Sequence, residues 1–196
     1  MNDLFKRYAV LMERIGDLRL RVLIGHLLQG GEVYHKPGSR VHHTGEWGLL
    51  EHSVEVAEVG VTIADVFDSP VNKDFLIVGG LLHDYGKAIV AGNPEEGPLQ
   101  HCVLGANAVY AAMVELGRFS ERERLVVSNM VRCHHRGVGE TSNANGLYLT
   151  LEDYIIHVAD ALSATQYVAK ARYEEGLKSY DMYKNKGMLF TIGGRL

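Results

Sequence analysis

Cysteine and proline are scarce in this chain of 196 residues, which contains two cysteines and four prolines. Two cysteines cannot form the disulfide framework of a small secreted domain, and the composition is neither collagen-like nor that of a disordered chain. An excess of basic charge is also lacking, because 20 basic residues stand against 24 acidic ones and leave a formal net charge of −4. The sequence therefore lacks the strongly basic character by which some proteins hold long nucleic acids through electrostatics alone.

Long uncharged hydrophobic runs are absent as well. The first 28 residues place charged side chains throughout their apolar pattern, so we expect neither a signal peptide nor a membrane span there. The longest uncharged stretch, residues 97–114, contains Pro98, Gln100 and Asn107, which a membrane helix would disfavour. With few cysteines and no export signal, the expected location is the cytoplasm, with no membrane partner.

Helical periodicity dominates the sequence, and no alternating run is long enough to predict a core sheet. The pattern predicts an all-α fold in a single domain over residues 1–196, with a core of about residues 20–177. Residues 178–196 are expected to form a C-terminal appendage, in which a short hairpin is an open alternative. Asn72 and Ser120 are the expected N-caps of two helices. The predicted helices span residues 3–28, 47–67, 72–83, 99–116, 121–134 and 151–177.

Ten histidines are the one compositional excess that chemistry could explain. His52 lies on the apolar face of its predicted helix, where a single histidine is usually a hydrogen-bonded core residue. His83 and Asp84 end a very apolar helix, and Asp160 lies within another. Burying these groups is costly unless their charge and lone pairs are compensated, and a bound cation would compensate both. The nitrogen and oxygen donors suit Mn, Fe, Co, Ni, Zn or Mg and include no thiolate of the kind that selects structural zinc.

The order of these residues resembles the H…HD…D signature of the HD superfamily of metal-dependent phosphohydrolases. Further segments resemble the YhaM-like 3′→5′ exoribonucleases, namely residues 41–52, 71–74, 83–87, 96–101 and 133–137. The resemblance covers about residues 20–170 and implies an HD-domain helical bundle with a binuclear metal site. In that family, two extra histidines complete a second metal position. The implied metal ligands are His52, His83, Asp84, His101, His134 and Asp160.

The resemblance also implies roles for residues around the metals. Asp84 is expected to bind metal and to orient the nucleophile. Lys87 and His135 are the other expected catalytic residues, because their side chains could neutralise charge on the phosphoryl oxygens. Arg136 and Lys87 are both expected to bind the substrate through its phosphoryl oxygens.

The remaining histidines and the cysteines have weaker assignments. His43 is expected to bind substrate, because with His42 it precedes the metal helix and should lie at the mouth of the pocket. His157 could either reach the site or simply pack. Cys102 and Cys133 flank two implied ligands and are expected to point elsewhere and to pack as small hydrophobic residues. Two further histidines are expected to be structural, His26 and His35.

The implied activity is metal-dependent hydrolysis of phosphoester bonds in nucleotides or short single-stranded RNA or DNA, in the manner of a 3′→5′ exonuclease. Two divalent ions would take part, with Mn, Fe, Ni or Co favoured over Mg or Zn. We expect no counterpart of the family's N-terminal OB-fold, and therefore weak binding of long single strands and distributive cleavage. A di-iron HD-type oxygenase and a non-catalytic nucleotide-sensing module stay open as alternatives, as does assembly into an oligomer.

Overall fold

The structure is a computed structural model that describes residues 2–29, 34–89, 98–135 and 150–174. Within these ranges the chain forms helices and no strand, which confirms the predicted all-α fold. Residues 178–196, with their predicted hairpin, and Arg136 lie outside the described residues. The helices are α1 (Asn2–Arg14), α2 (Leu18–Leu27), α3 (Gly48–Val66), α4 (Lys73–Leu82), α5 (Tyr85–Ile89), α6 (Pro98–Leu116), α7 (Glu121–Cys133) and α8 (Leu151–Glu174).

The prediction of one long first helix is wrong, because the chain turns between α1 and α2. The side chain of Asp17 accepts a hydrogen bond from the backbone N–H of Arg19 at 2.9 Å and caps α2. The backbone N–H of Asp17 donates to Asp74 Oδ2 of α4 at 2.8 Å. Leu11 within α1 and Ile15 just after it are both fully buried. The apolar spacing therefore continues past the end of α1, and the sequence pattern gives no sign of the turn.

Two other helices begin where their capping residues predict. The side chain of Asn72 accepts hydrogen bonds from the backbone N–H groups at the start of α4. Ser120 and Glu123 form a reciprocal capping box at the start of α7. Such caps satisfy donors that have no partner within the helix. Among the described helices, none is both long enough and apolar enough to cross a lipid bilayer.

Close backbone contacts let the helices converge on the middle of the bundle. A Cβ added at Gly80 of α4 would lie 2.5 Å from Ala57 Cα of α3, so α3 and α4 pack with nothing between them. A Cβ at Gly86 of α5 would lie 1.8 Å from the backbone oxygen of His101 in α6. The residues between α4 and α5 are therefore held against both α3 and α6.

Candidate metal centre

The six predicted metal ligands lie in one buried cluster. They come from five separate parts of the fold, and none has more than 9% of its surface exposed. A cluster of imidazoles and carboxylates at this depth requires compensation of its charge. The contributing segments are α3 with His52, the link between α4 and α5 with His83 and Asp84, α6 with His101, the end of α7 with His134, and α8 with Asp160.

Asp84 lies in the middle of the cluster, and its two oxygens face different pairs of histidines. Oδ2 is 3.4 Å from His83 Nε2 and 3.9 Å from His52 Nε2. Oδ1 is 3.3 Å from His101 Nε2 and 3.4 Å from His134 Nε2. One carboxylate is thus shared between two sets of donors, which we call the first donor group (with His52 and His83) and the second donor group (with His101 and His134).

Asp160 completes the first donor group. Its Oδ1 is 2.9 Å from His52 Nε2 and 3.8 Å from His83 Nε2. The Nδ1–H of His52 donates to Ser163 Oγ at 3.0 Å, so Nε2 is left to face the carboxylate. A lone pair and a carboxylate oxygen in contact require a positive charge between them, either a proton or a metal ion. His52, His83 and Asp84 each offer an atom close enough to the others for the three to bind one metal ion.

Backbone hydrogen bonds fix the orientation of two imidazoles. The Nδ1–H of His83 donates to the Gly80 carbonyl at 2.8 Å, and that of His134 donates to the Val131 carbonyl at 2.6 Å. Both rings therefore turn Nε2 toward Asp84. Outer-sphere hydrogen bonds orient metal-binding histidines in the same way. His83 Nε2 and Asp84 Oδ1 are buried without a hydrogen-bond partner among the described residues. Bound cations would satisfy both atoms, so the residues present fit a metal centre.

The charges in the cluster favour positive ions. Burial alone would raise the pKa of Asp84, but His83 and Lys87 outweigh burial and hold that pKa well below its ordinary value. Burial also acts against the charged form of Asp160, yet the close contact with His52 and the charge of neighbouring histidines keep the pKa of Asp160 low. Burial acts to lower the pKa of His83, and the carboxylate of Asp84 reverses this and raises it. Both carboxylates are therefore charged at neutral pH and attract positive charge.

The two other predicted catalytic residues lie at the edge of the cluster. Lys87 Nζ donates to Asp84 Oδ2 at 2.6 Å and to the Gly38 carbonyl at 3.0 Å, and its side chain remains 22% exposed. His135 Nδ1 is 3.7 Å from Asp160 Oδ2, and its side chain is 34% exposed. Burial, together with the charge of neighbouring histidines, lowers the pKa of His135 to about 3, so the ring is neutral at neutral pH.

The loop before α3 places one of its two histidines, His43, differently from the prediction. His43, expected at the pocket mouth, is fully buried, and its Nε2–H donates to Glu55 Oε2 at 3.0 Å. Its backbone adopts φ of 49°, an unusual conformation for a residue other than glycine. The structure thus places His43 behind His52 and away from the mouth. His42 is the more exposed of the pair, and its ring centroid is 4.8 Å from that of His52.

Sequence reasoning missed two residues behind the first donor group, Ser163 and Glu55. Ser163 Oγ accepts the hydrogen bond from His52 and donates to Glu55 Oε2 at 2.8 Å. Burial would raise the pKa of Glu55, but the hydrogen bonds from His43 and Ser163 lower it, so Glu55 stays charged. Each residue lies one helical turn after a predicted ligand, Glu55 after His52 and Ser163 after Asp160. That spacing is the sequence signal that could have found them.

The prediction that Cys102 points away from the site is wrong. Its buried Sγ lies 3.6 Å from His101 Nε2 and 3.8 Å from His134 Nε2. Cys133 is buried too, and its thiol donates to Asn129 Oδ1 at 3.3 Å. His157 supports the backbone near the cluster, because its Nδ1–H donates to the His134 carbonyl at 2.6 Å.

Replacing Ser163 with alanine is expected to weaken metal binding about 10- to 100-fold, the usual cost of losing an outer-sphere partner. The substitution removes the acceptor that orients His52, while the helix itself tolerates alanine well. Isothermal titration with Mn²⁺ measures the affinity. Ser128→Ala is the matched control, because Ser128 hydrogen-bonds only the carbonyl of Leu125 in its own helix among the contacts described. Equal affinities for the two variants would contradict a positioning role for Ser163.

Comparison with known families identifies the fold. The HD domain family matches residues 49–165, more than half of the chain. The chain belongs to the HD domain family. This assignment confirms the resemblance to HD-superfamily phosphohydrolases. The HD-domain protein is therefore a hydrolase.

Curated relatives of this HD-domain protein include phosphodiesterases and ribonucleases. It is 28% identical over 203 residues to dihydroneopterin 2′,3′-cyclic phosphate phosphodiesterase of Methanocaldococcus jannaschii, covering 91% of this chain and 79% of that protein. It is 32% identical to ribonuclease Y of Finegoldia magna, over 72% of this chain and 23% of that protein. It is 30% identical to the 3′-5′ exoribonuclease YhaM of Listeria monocytogenes, over 68% of this chain and 44% of that protein. The chain thus spans less than half of either ribonuclease, and no solved structure matches it significantly.

Proposed function

We propose that this HD-domain protein is a metal-dependent phosphodiesterase that acts on nucleotides or short single-stranded nucleic acid, with 3′→5′ exonuclease-like cleavage of the latter. The observation that supports this function best is the placement of Asp84, whose two oxygens face separate pairs of imidazoles. The names of the relatives support a phosphodiester substrate, since one acts on a 2′,3′-cyclic phosphate and another is an exoribonuclease.

The donors divide between two cation positions. His52, His83, Asp84 and Asp160 would hold one divalent cation, and His101 and His134 would hold the other together with Asp84. When bound, divalent cations lower the pKa of a water molecule and stabilise negative charge on phosphoryl oxygens. The buried carboxylates of Asp84 and Asp160 stay charged and so keep both positions attractive to cations.

Residues at the edge of the cluster would bind the substrate. An ammonium group has three N–H donors, and Lys87 uses two of them on Asp84 and Gly38. The third remains for a phosphoryl oxygen, and the charge of Lys87 would stabilise the transition state there. The neutral ring of His135 can exchange a hydrogen bond with the substrate or the leaving group. Asp84, which the two donor groups share, would orient the attacking water, and Arg136 would add positive charge after His135.

A substrate panel tests this proposal. The purified protein should hydrolyse at least one of bis(p-nitrophenyl) phosphate, a 2′,3′-cyclic nucleotide or a short oligoribonucleotide in the presence of Mn²⁺, Fe²⁺ or Co²⁺. EDTA should abolish the activity, and addition of the same metal should restore it. Hydrolysis of a long single strand should give a distributive product ladder at substrate excess.

Two results would contradict the proposal. Inactivity toward every substrate with Mn, Fe, Co, Ni, Zn and Mg would remove the phosphodiesterase assignment. Consumption of oxygen that depends on iron, without phosphate ester hydrolysis, would assign the protein to the oxygenase branch instead. Heat-denatured protein and the Asp84→Asn variant serve as controls for contaminating nucleases.

A further inference from the structure

Cys102 lies at the second donor group, although it is not itself part of the H…HD…D signature. Its Sγ is 3.6 Å from His101 Nε2 and 3.8 Å from His134 Nε2. The residue is 1% exposed, so solvent does not compete for its sulfur. The side chains of His101, Cys102, His134 and His135 together form a group whose ligand atoms are close enough to bind one metal ion.

Four of the distances between these donors match those of a tetrahedral metal site. With metal–sulfur and metal–nitrogen bonds of about 2.3 and 2.05 Å, tetrahedral angles separate sulfur from nitrogen by about 3.6 Å. The same geometry separates an imidazole nitrogen from a carboxylate oxygen by about 3.4 Å. The observed sulfur–nitrogen distances are 3.6 and 3.8 Å, and the nitrogen–oxygen distances are 3.3 and 3.4 Å. A direct hydrogen bond between imidazole and carboxylate would be shorter than these.

A second observation points to a ligand at this place. Asp84 is 1% exposed, and its Oδ1, which faces His101 and His134, has no hydrogen-bond partner among the described residues. An unsatisfied buried carboxylate oxygen is costly. A cation bound between these two histidines would satisfy it, and the sulfur of Cys102 borders the same two nitrogens.

We propose that Cys102 is a metal ligand, which completes a His–His–Cys–Asp donor set at the second donor group and makes that position selective for zinc, iron or cobalt. The inference rests on the proposed two-metal function and extends it. As the metal–sulfur bond forms, the thiol proton is released to solvent. A thiolate is a soft donor that disfavours magnesium and manganese, so the two donor groups differ in metal preference. The first group, with imidazoles and carboxylates only, keeps a preference for harder ions.

Cobalt binding tests the proposal without any assay of activity. Metal-free protein titrated with Co²⁺ should develop near-ultraviolet thiolate-to-cobalt charge-transfer absorption, which Cys102→Ser should abolish. Zn²⁺ affinity should fall by more than about tenfold in the same variant. Losing an outer-sphere partner already costs about tenfold or more, and losing a direct ligand should cost more than that. Cys133→Ser is the matched control, because Cys133 is equally buried but its thiol donates to Asn129. Cys102→Ala repeats the test if the serine variant does not fold.

The outcomes separate the two proposals. Charge-transfer absorption lost in Cys102→Ser and kept in Cys133→Ser supports Cys102 as a ligand. Two bound cobalt ions with no such absorption would overturn thiolate ligation and leave the two-metal function intact, with Cys102 reduced to a hydrogen-bonding neighbour. No cobalt binding at all would overturn this inference and the proposed function together.

Discussion

Replacing Asp84 with asparagine is expected to remove metal from both donor groups and to lower kcat/KM by more than about 100-fold, the upper end of outer-sphere effects. Asparagine keeps the shape of the side chain but removes the charge that the imidazoles of both groups face. Because Asp84 is the carboxylate shared by the two groups, one substitution should affect both positions. Elemental analysis of the dialysed protein and steady-state kinetics measure the two effects.

Asp153→Asn is the control for this experiment. Asp153 is also a fully buried carboxylate, but it accepts a hydrogen bond from Asn129 at 2.6 Å and belongs to neither donor group. That variant should retain its metal content even if its melting temperature falls. A folded Asp84→Asn protein with unchanged metal content, or with full activity, would rule out the shared carboxylate as the basis of the site.

Replacing Gly86 with alanine is expected to destabilise the protein by about 3 kcal/mol, the upper end of typical overpacking costs. The added Cβ would lie 1.8 Å from the backbone oxygen and 2.6 Å from the carbonyl carbon of His101, and backbone atoms cannot rotate away as side chains do. To relieve the clash, α5 and α6 must move apart, which takes His101 away from Asp84. The second donor group should therefore lose metal before the first. Urea unfolding and cobalt titration of the folded fraction measure stability and occupancy.

Gly25→Ala provides the matched comparison. Gly25 is also within a helix, and a Cβ added there would meet no atom within 4 Å. Alanine at such a position should be neutral or stabilise by about 0.5–1 kcal/mol, because glycine loses more conformational entropy on folding. If Gly86→Ala behaved like Gly25→Ala, the close contact between α5 and α6 would not govern the site.

The sequence predicts the cluster well where motif residues lie on the apolar faces of predicted helices. His52, His83, Asp84 and Asp160 converge as their order implied, and His101 and His134 join them. Whether these side chains bind metal stays a prediction. Their convergence could be anticipated because charged groups on apolar helix faces must find partners in the core.

The parts that sequence reasoning missed depend on tertiary contacts. The end of α1 is invisible to periodicity, since the acceptor for the Asp17 backbone is Asp74, far away in the chain. The rotation of about 100° between neighbouring helical residues predicts that Cys102 lies on a different face from His101. The side chain of His101 nevertheless brings its Nε2 to within 3.6 Å of the Cys102 sulfur. The burial of His43 follows from its contact with Glu55, which no local pattern indicates.

The hydrogen bonds around His52 also bear on the order in which the molecule folds. His52 contacts Asp160 across 108 residues, and Ser163 contacts Glu55 across the same separation. Individual helices form in about a microsecond from local contacts, whereas joining α3 to α8 requires closing this long loop and paying its entropy. A chain with all its helices but without the α3–α8 contact would have native-like helicity and no first donor group. If His52 binds metal as proposed, loss of that binding would report incomplete topology, which circular dichroism alone would not detect.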